Sequence, residues 1–199
     1  MKKRRLDDAD ADADAVADAR TSTLDLLLGR TARDFFSDHW EVAPLLARGA
    51  HRRMPSWPRL PTWESLLAVL ERAKSSTIVL KDQHPTAEYA SAAAAYLDGC
   101  SVIVNHAEHF DPAIAALCGA LRREVAHAFG NLYLTPPVGR AVDAHADDRD
   151  VLVLQLCGSK QWLVFDDPPV PFPQSHEQVG KAGLRVPPEA LARPREYTL

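Results

Sequence analysis

The sequence has no internal repeat and no apolar run approaching the ~18 residues that span a bilayer. No apolar stretch follows the N-terminal charges, so no secretory signal is expected. Positive charge is not in excess. Lys and Arg number 23 against 27 Asp and Glu, a net charge of -4, which argues against nucleic-acid binding by bulk electrostatics. Cysteine is scarce: the 3 residues Cys100, Cys118 and Cys157 are widely spaced and odd in number. They read as reduced thiols of an intracellular protein and not as a disulfide frame. What is present is ordinary for a globular domain. The chain has 199 residues, 46% apolar and 25% charged, enough for one domain with a core.

Residues 1–20 read as a disordered charged tail. Lys2-Lys3-Arg4-Arg5 is a compact basic cluster of the kind that serves as a nuclear import signal, and residues 7–19 are mostly Asp and Ala with nothing to bury. Residues 21–199 form the folded part. Leu24, Leu27 and Leu28, then Phe35, Phe36 and Trp40, recur at helical spacing, and Pro44 ends that element. Pro55, Pro58 and Pro61 mark a stiff connector. Thr62 is placed to cap a helix with Leu66, Leu67, Val69 and Leu70 on one face. Residues 77–80 and 101–105 read as strands. Asp111-Pro112 starts a further helix whose stripe is Ile114, Leu117, Leu121, Val125 and Phe129, stopped by Gly130.

Thereafter the pattern is β. Residues 131–134 are a strand. The apolar run 151–157 predicts a buried strand paired with 160–165 through a Gly158-Ser159 turn. Residues 168–173 are a proline-rich loop, and residues 196–199 begin another strand.

His145 and Asp147 lie two apart, so on extended backbone they face the same way and offer one nitrogen and one oxygen to a single metal ion. These are two of the three donors of the two-His, one-carboxylate set of non-haem iron oxygenases. A lone His-x-Asp is a weak signal, and the charged residues Asp148, Arg149 and Asp150 after it also fit a surface loop. Lys160 opens the second strand of the expected hairpin. It reads either as a solvated turn residue or as the cation that pairs with the distal carboxylate of a 2-oxo diacid. Asn131 and Tyr133 share a strand face, as pocket donors or as an edge polar residue and a core aromatic. His176 is the one histidine after Asp147, in a proline-flanked loop. His106, Glu108 and His109 resemble a second metal motif, read first as solvated loop histidines. His39, His51, His84 and His127 are isolated.

Asn-Leu-Tyr-Leu-Thr-Pro-Pro at 131–137, His-x-Asp-Asp at 145–148 and Leu-Gln-Leu-x-Gly-x-Lys-Gln-Trp at 154–162 together resemble the JmjC-type, cupin-fold ribosomal oxygenases. Trp40-Glu41-x-x-Pro44-Leu45-Leu46 resembles that family's N-terminal lead-in segment. The likeness covers roughly residues 24–199. It implies an α+β fold, with a helical lead-in and part of a double-stranded β-helix (a jelly-roll). It implies Fe(II) bound by His145 and Asp147, with Lys160, Asn131 and Tyr133 holding 2-oxoglutarate. It also implies a nuclear or nucleolar enzyme, or else a cytoplasmic one. Its substrate would be a histidine of a ribosomal protein, for hydroxylation, or a histone lysine, for demethylation, with no direct contact to nucleic acid or membrane.

Two departures stand out. Ala146 occupies a position that is usually aromatic in the family. The family's second iron-binding histidine, and the region through which it dimerises, would fall beyond Leu199. The expected alternative is therefore a truncated fragment without catalytic competence.

Overall fold

The computed structural model describes residues 22–54, 63–137, 142–181 and 183–199. The basic cluster, the Asp/Ala tail, the proline connector and Thr62 lie outside the described residues.

The helical lead-in is two short helices, α1 (Thr23–Leu28) and α2 (Ala32–Asp38). Sequence periodicity predicts a single element here, and Gly29 divides it. Gly29 takes the left-handed conformation (φ 68) and closes α1, and a Cβ there would sit 2.8 Å from the Arg53 guanidinium carbon. Ser22 and Thr31 then cap the two starts by accepting from the Asp25 and Asp34 amides. Arg53 ends the short helix α3 (Ala50–Arg53) and donates to the carbonyls of Leu26, Leu27 and Arg48, satisfying the orphan end of α1. At the other end of α1, the Glu124 carboxylate accepts from the Ser22 hydroxyl and from the Thr23 and Leu24 amides.

Helix α4 (Trp63–Arg72) buries Leu66, Val69 and Leu70 on one face, as its spacing predicts. It packs over a four-stranded antiparallel sheet made of β1 (Thr77–Lys81), β2 (His84–Pro85), β3 (Ser101–Val104) and β4 (Leu132–Leu134), in the order β2-β1-β3-β4. Strand β3 is buried throughout and pairs Val79 with Val102 on one side and Tyr133 with Ile103 on the other. Asp82 and Gln83 join β1 to β2, both at positive φ (49 and 69), the twist a two-residue hairpin needs. The core beneath is Leu70, Ala73, Val102, Val104 and Ala107, flanked by Tyr96 of α5 (Ala92–Leu97) and by Ile114. A second apolar cluster, Leu24, Leu27, Met54 and Leu121, joins the lead-in to helix α6 (Pro112–Leu121).

Asp111 caps α6 as expected, accepting from the Ala113 and Ile114 amides with Pro112 in the first turn. The helix is shorter than its apolar stripe predicts. It ends at Leu121, and Val125 and Phe129 lie in irregular backbone before Gly130.

The expected hairpin is corrected. Strand β5 (Gln161–Phe165) pairs with β6 (Pro194–Thr198), matching Trp162 to Tyr197, and mutual 3.0 Å backbone bonds between Lys160 and Leu199 extend the ladder. Residues 151–157 form no strand, and Val151, Leu152 and Val153 are exposed. An apolar run signals a demand for burial without naming its partner, and β6 occupies the β5 edge assigned to it. The chain is thus α+β with antiparallel sheets. Among the described residues the two sheets are separate ladders and do not close into one barrel.

Candidate metal and cosubstrate site

His145 and Asp147 lie in a loop, not on a strand, yet the spacing still turns both side chains the same way. His145 Nε2 stands 3.8 Å from Asp147 Oδ2. His145 Nδ1 is 2.7 Å from the Asp143 carbonyl. A carbonyl only accepts, so Nδ1 carries a proton, and Nε2 is the ring nitrogen turned toward the carboxylate. One nitrogen and one oxygen thus face a common point, where a metal ion could take both. The other carboxylate oxygen, Oδ1, accepts from the Lys181 ammonium.

The loop that carries Lys181 grips the pair from outside. The Ala146 amide donates to the Val179 carbonyl at 2.8 Å, and Val179 is buried. Gly180, at φ 80, lies so close that a Cβ there would come within 2.4 Å of the Ala144 carbonyl oxygen. Next to the pair, the Ser175 hydroxyl and then the Arg149 guanidinium hold the Asp148 carboxyl below the usual carboxylate range. Among the described residues, no third His, Cys, Asp or Glu donor joins His145 and Asp147 at ligand spacing, and His176 is exposed.

Lys160 and Tyr133 do come together. Lys160 Nζ donates to Thr135 Oγ1 at 3.1 Å and lies 6.0 Å from the centre of the Tyr133 ring and 5.4 Å from that of Trp162. Burial lowers the Lys160 pKa from its ordinary value of 10.5. No carboxylate among the described residues lies within ion-pair distance of it. Trp162 Nε1 is buried without a hydrogen-bond partner among the described residues. A half-buried cation with two further donors beside it is a receptor for an anion. Asn131 sits elsewhere: its side-chain oxygen accepts from the His106 amide at 3.1 Å. Thr135 and Trp162 escaped the sequence reading, although each lies two residues along a strand from Tyr133 or Lys160 and so shares its face. Lys181 and Gly180 carried no signal beyond the glycine itself.

A third group stands at the end of β3. The donor atoms of His106, Glu108 and His109 all lie within 4.8 Å of one another. Glu108 is buried and His106 and His109 are exposed.

Residues 103–188 match the JmjC domain family. Over this segment the chain is similar to the JmjC-domain proteins. It is 35% identical over 74 residues to a bifunctional lysine-specific demethylase and histidyl-hydroxylase NO66 of Drosophila sechellia, covering 37% of this chain and 11% of the relative. The NO66 of Dictyostelium discoideum is 37% identical over 71 residues, covering 35% and 14%. Ribosomal oxygenase 1 of Rattus norvegicus is 35% identical over 77 residues, covering 38% and 13%. The matched region thus spans about a tenth of the length of these curated relatives. The JmjC segment contains His145, Asp147, Lys160, Asn131 and Tyr133, and also the His106, Glu108 and His109 group.

Proposed function

We propose that this chain serves as an Fe(II)- and 2-oxoglutarate-dependent oxygenase of protein side chains. The observation that carries the reading is the facing pair His145 Nε2 and Asp147 Oδ2, on the same JmjC-like segment as Lys160, a cation with no carboxylate at ion-pair distance among the described residues. The donors are of the kind that bind ferrous iron: an imidazole fixed by its outer hydrogen bond and a carboxylate steadied by Lys181. When bound, Fe(II) with 2-oxoglutarate supplies O2 activation, converting a substrate C–H bond to C–OH with release of succinate and carbon dioxide.

The chain's own residues bind and orient. Lys160 pairs with the distal carboxylate of 2-oxoglutarate, and Thr135 and Trp162 supply the remaining hydrogen bonds. Tyr133 and Trp162 flank the cation and reduce its exposure to water, which strengthens the pairing. Asn131 stands apart from this pocket, where its oxygen holds the His106 turn. The two antiparallel sheets, bridged where Lys160 reaches from β5 to Thr135 beyond β4, are the lips of a double-stranded β-helix. The substrate is a ribosomal-protein histidine or a histone lysine, and the basic cluster at Lys2 directs the chain to the nucleus or nucleolus.

The test is succinate release from 2-oxoglutarate with Fe(II), ascorbate and each peptide class, for the wild type and for His145→Ala. Succinate formed by the wild type and abolished in His145→Ala supports the reading. No succinate from the wild type overturns it for this chain.

A further inference from the structure

The segment that joins β3 to α6 carries a cluster that the oxygenase reading does not use. His106 holds the left-handed conformation (φ 52), unusual for a residue with a side chain, and this turns its imidazole back over Glu108. His106 Nδ1 lies 3.3 Å and His109 Nε2 lies 3.8 Å from the same atom, Glu108 Oε1. Ligands at zinc–nitrogen and zinc–oxygen bond lengths sit about 3.3 Å apart around a tetrahedral ion. One donor pair therefore already has that spacing, and the other closes by a side-chain adjustment at an exposed histidine. The rings are stacked at 5.5 Å with 13° between their planes, and Phe129 backs His106 at 4.9 Å.

Glu108 is the fixed member. Its side chain is 5% exposed, and Oε2 accepts from the Gly130 amide at 3.0 Å, which leaves Oε1 to face the histidines. Burial pushes the carboxyl up, but the Gly130 amide, its own amide and His106 outweigh that, so it remains an anion below the usual carboxylate range. Arg122 also faces Oε1, at 3.8 Å, but its Nε is committed to the Ala128 carbonyl. The histidine side chains are 54% and 67% exposed, so a fourth coordination position opens to solvent.

We propose that His106, Glu108 and His109 form a binding site for a borderline divalent transition-metal ion of the zinc class, separate from His145 and Asp147. Two imidazoles exclude calcium and magnesium, which take oxygen ligands. The bound ion fastens the β3–α6 turn, which Glu108 already ties to Gly130, two residues before β4.

The experiment titrates metal-stripped full-length chain carrying His145→Ala and Asp147→Asn with Co(II), followed by its visible absorption, and with Zn(II) against a chromophoric competitor. One equivalent is expected to bind, with imidazole resonances shifted and the melting temperature raised by Zn(II). Adding His106→Ala and His109→Ala, both at exposed side chains, is expected to weaken binding on the order of 100-fold and to abolish the thermal shift. Absence of the bound equivalent in the first protein overturns the proposal. So does its survival in the second. Succinate formation is expected to be unchanged by His106→Ala and His109→Ala in the otherwise wild-type chain, and its loss in that variant would reassign the cluster to the oxygenase centre.

Discussion

Lys160 reaches its place because Trp162 and Tyr133 flank it and Thr135 Oγ1 accepts a hydrogen bond from it. Its folded pKa lies below the ordinary 10.5, so over the interval between them the unfolded chain binds more protons. Burying the charged amine costs stability at every pH beneath that interval, and the cost disappears as pH rises through it. The same titration governs ligand binding. Affinity for 2-oxoglutarate is expected to decline with rising pH before 10.5, the ordinary lysine value. Calorimetry across that range would show it, and Lys160→Met would lose affinity at least tenfold at neutral pH, with the melting temperature kept.

Glu108 shows the opposite sign. Its carboxyl is lowered from 4.5, so its contribution is whole above that value and is lost as pH falls through the folded one. Glu108→Ala would strand the Gly130 amide and cost about 1–3 kcal/mol in urea unfolding at pH 7. Glu108→Gln, which keeps an acceptor, would cost less and would lose the acid dependence.

Among the elements, those with local rules were legible beforehand. Strands β1 and β3 announce themselves by β-branched residues, α6 by Asp111-Pro112, and the stripe of α4 by its spacing. The hairpin was not legible. Residues 151–157 carry the composition of a buried strand, but strand pairing is settled by contacts far along the chain, and β5 found β6. Val151 is 59% exposed, so Val151→Lys is expected to change stability by no more than about 0.5 kcal/mol. A loss several times larger would show that this segment is buried after all.

The site divides in the same way. His145 and Asp147 were readable because two-residue spacing acts within one segment. Lys181 was not, since it arrives from 34 residues away. Gly180 is what lets it arrive. Gly180→Ala would force a side chain against the Ala144 carbonyl at a positive φ, for a cost of about 1–3 kcal/mol confined to this loop. Hydrogen exchange should show the Ala146 amide losing protection while β3 keeps its own.

In the molecule as a whole, the lead-in helices are tied on by few but well-placed groups. Glu124 satisfies the start of α1 and Arg53 satisfies its end. Glu124→Ala is expected to cost on the order of 2 kcal/mol, because three donors lose a charged acceptor together. Limited proteolysis should then cut within residues 22–31 before it touches the sheet. Ser22 and Glu124 are 102 positions apart. At a synthesis rate of about 5–20 residues per second, the ribosome delivers Glu124 roughly 5–20 s after Ser22. Throughout that interval Leu24 and Leu27 have been made, but Leu121, which covers them in the finished fold, has not. Helix α1 therefore cannot dock in its finished place until residues 121–124 have been made. A nascent-chain chaperone has several seconds in which to hold it.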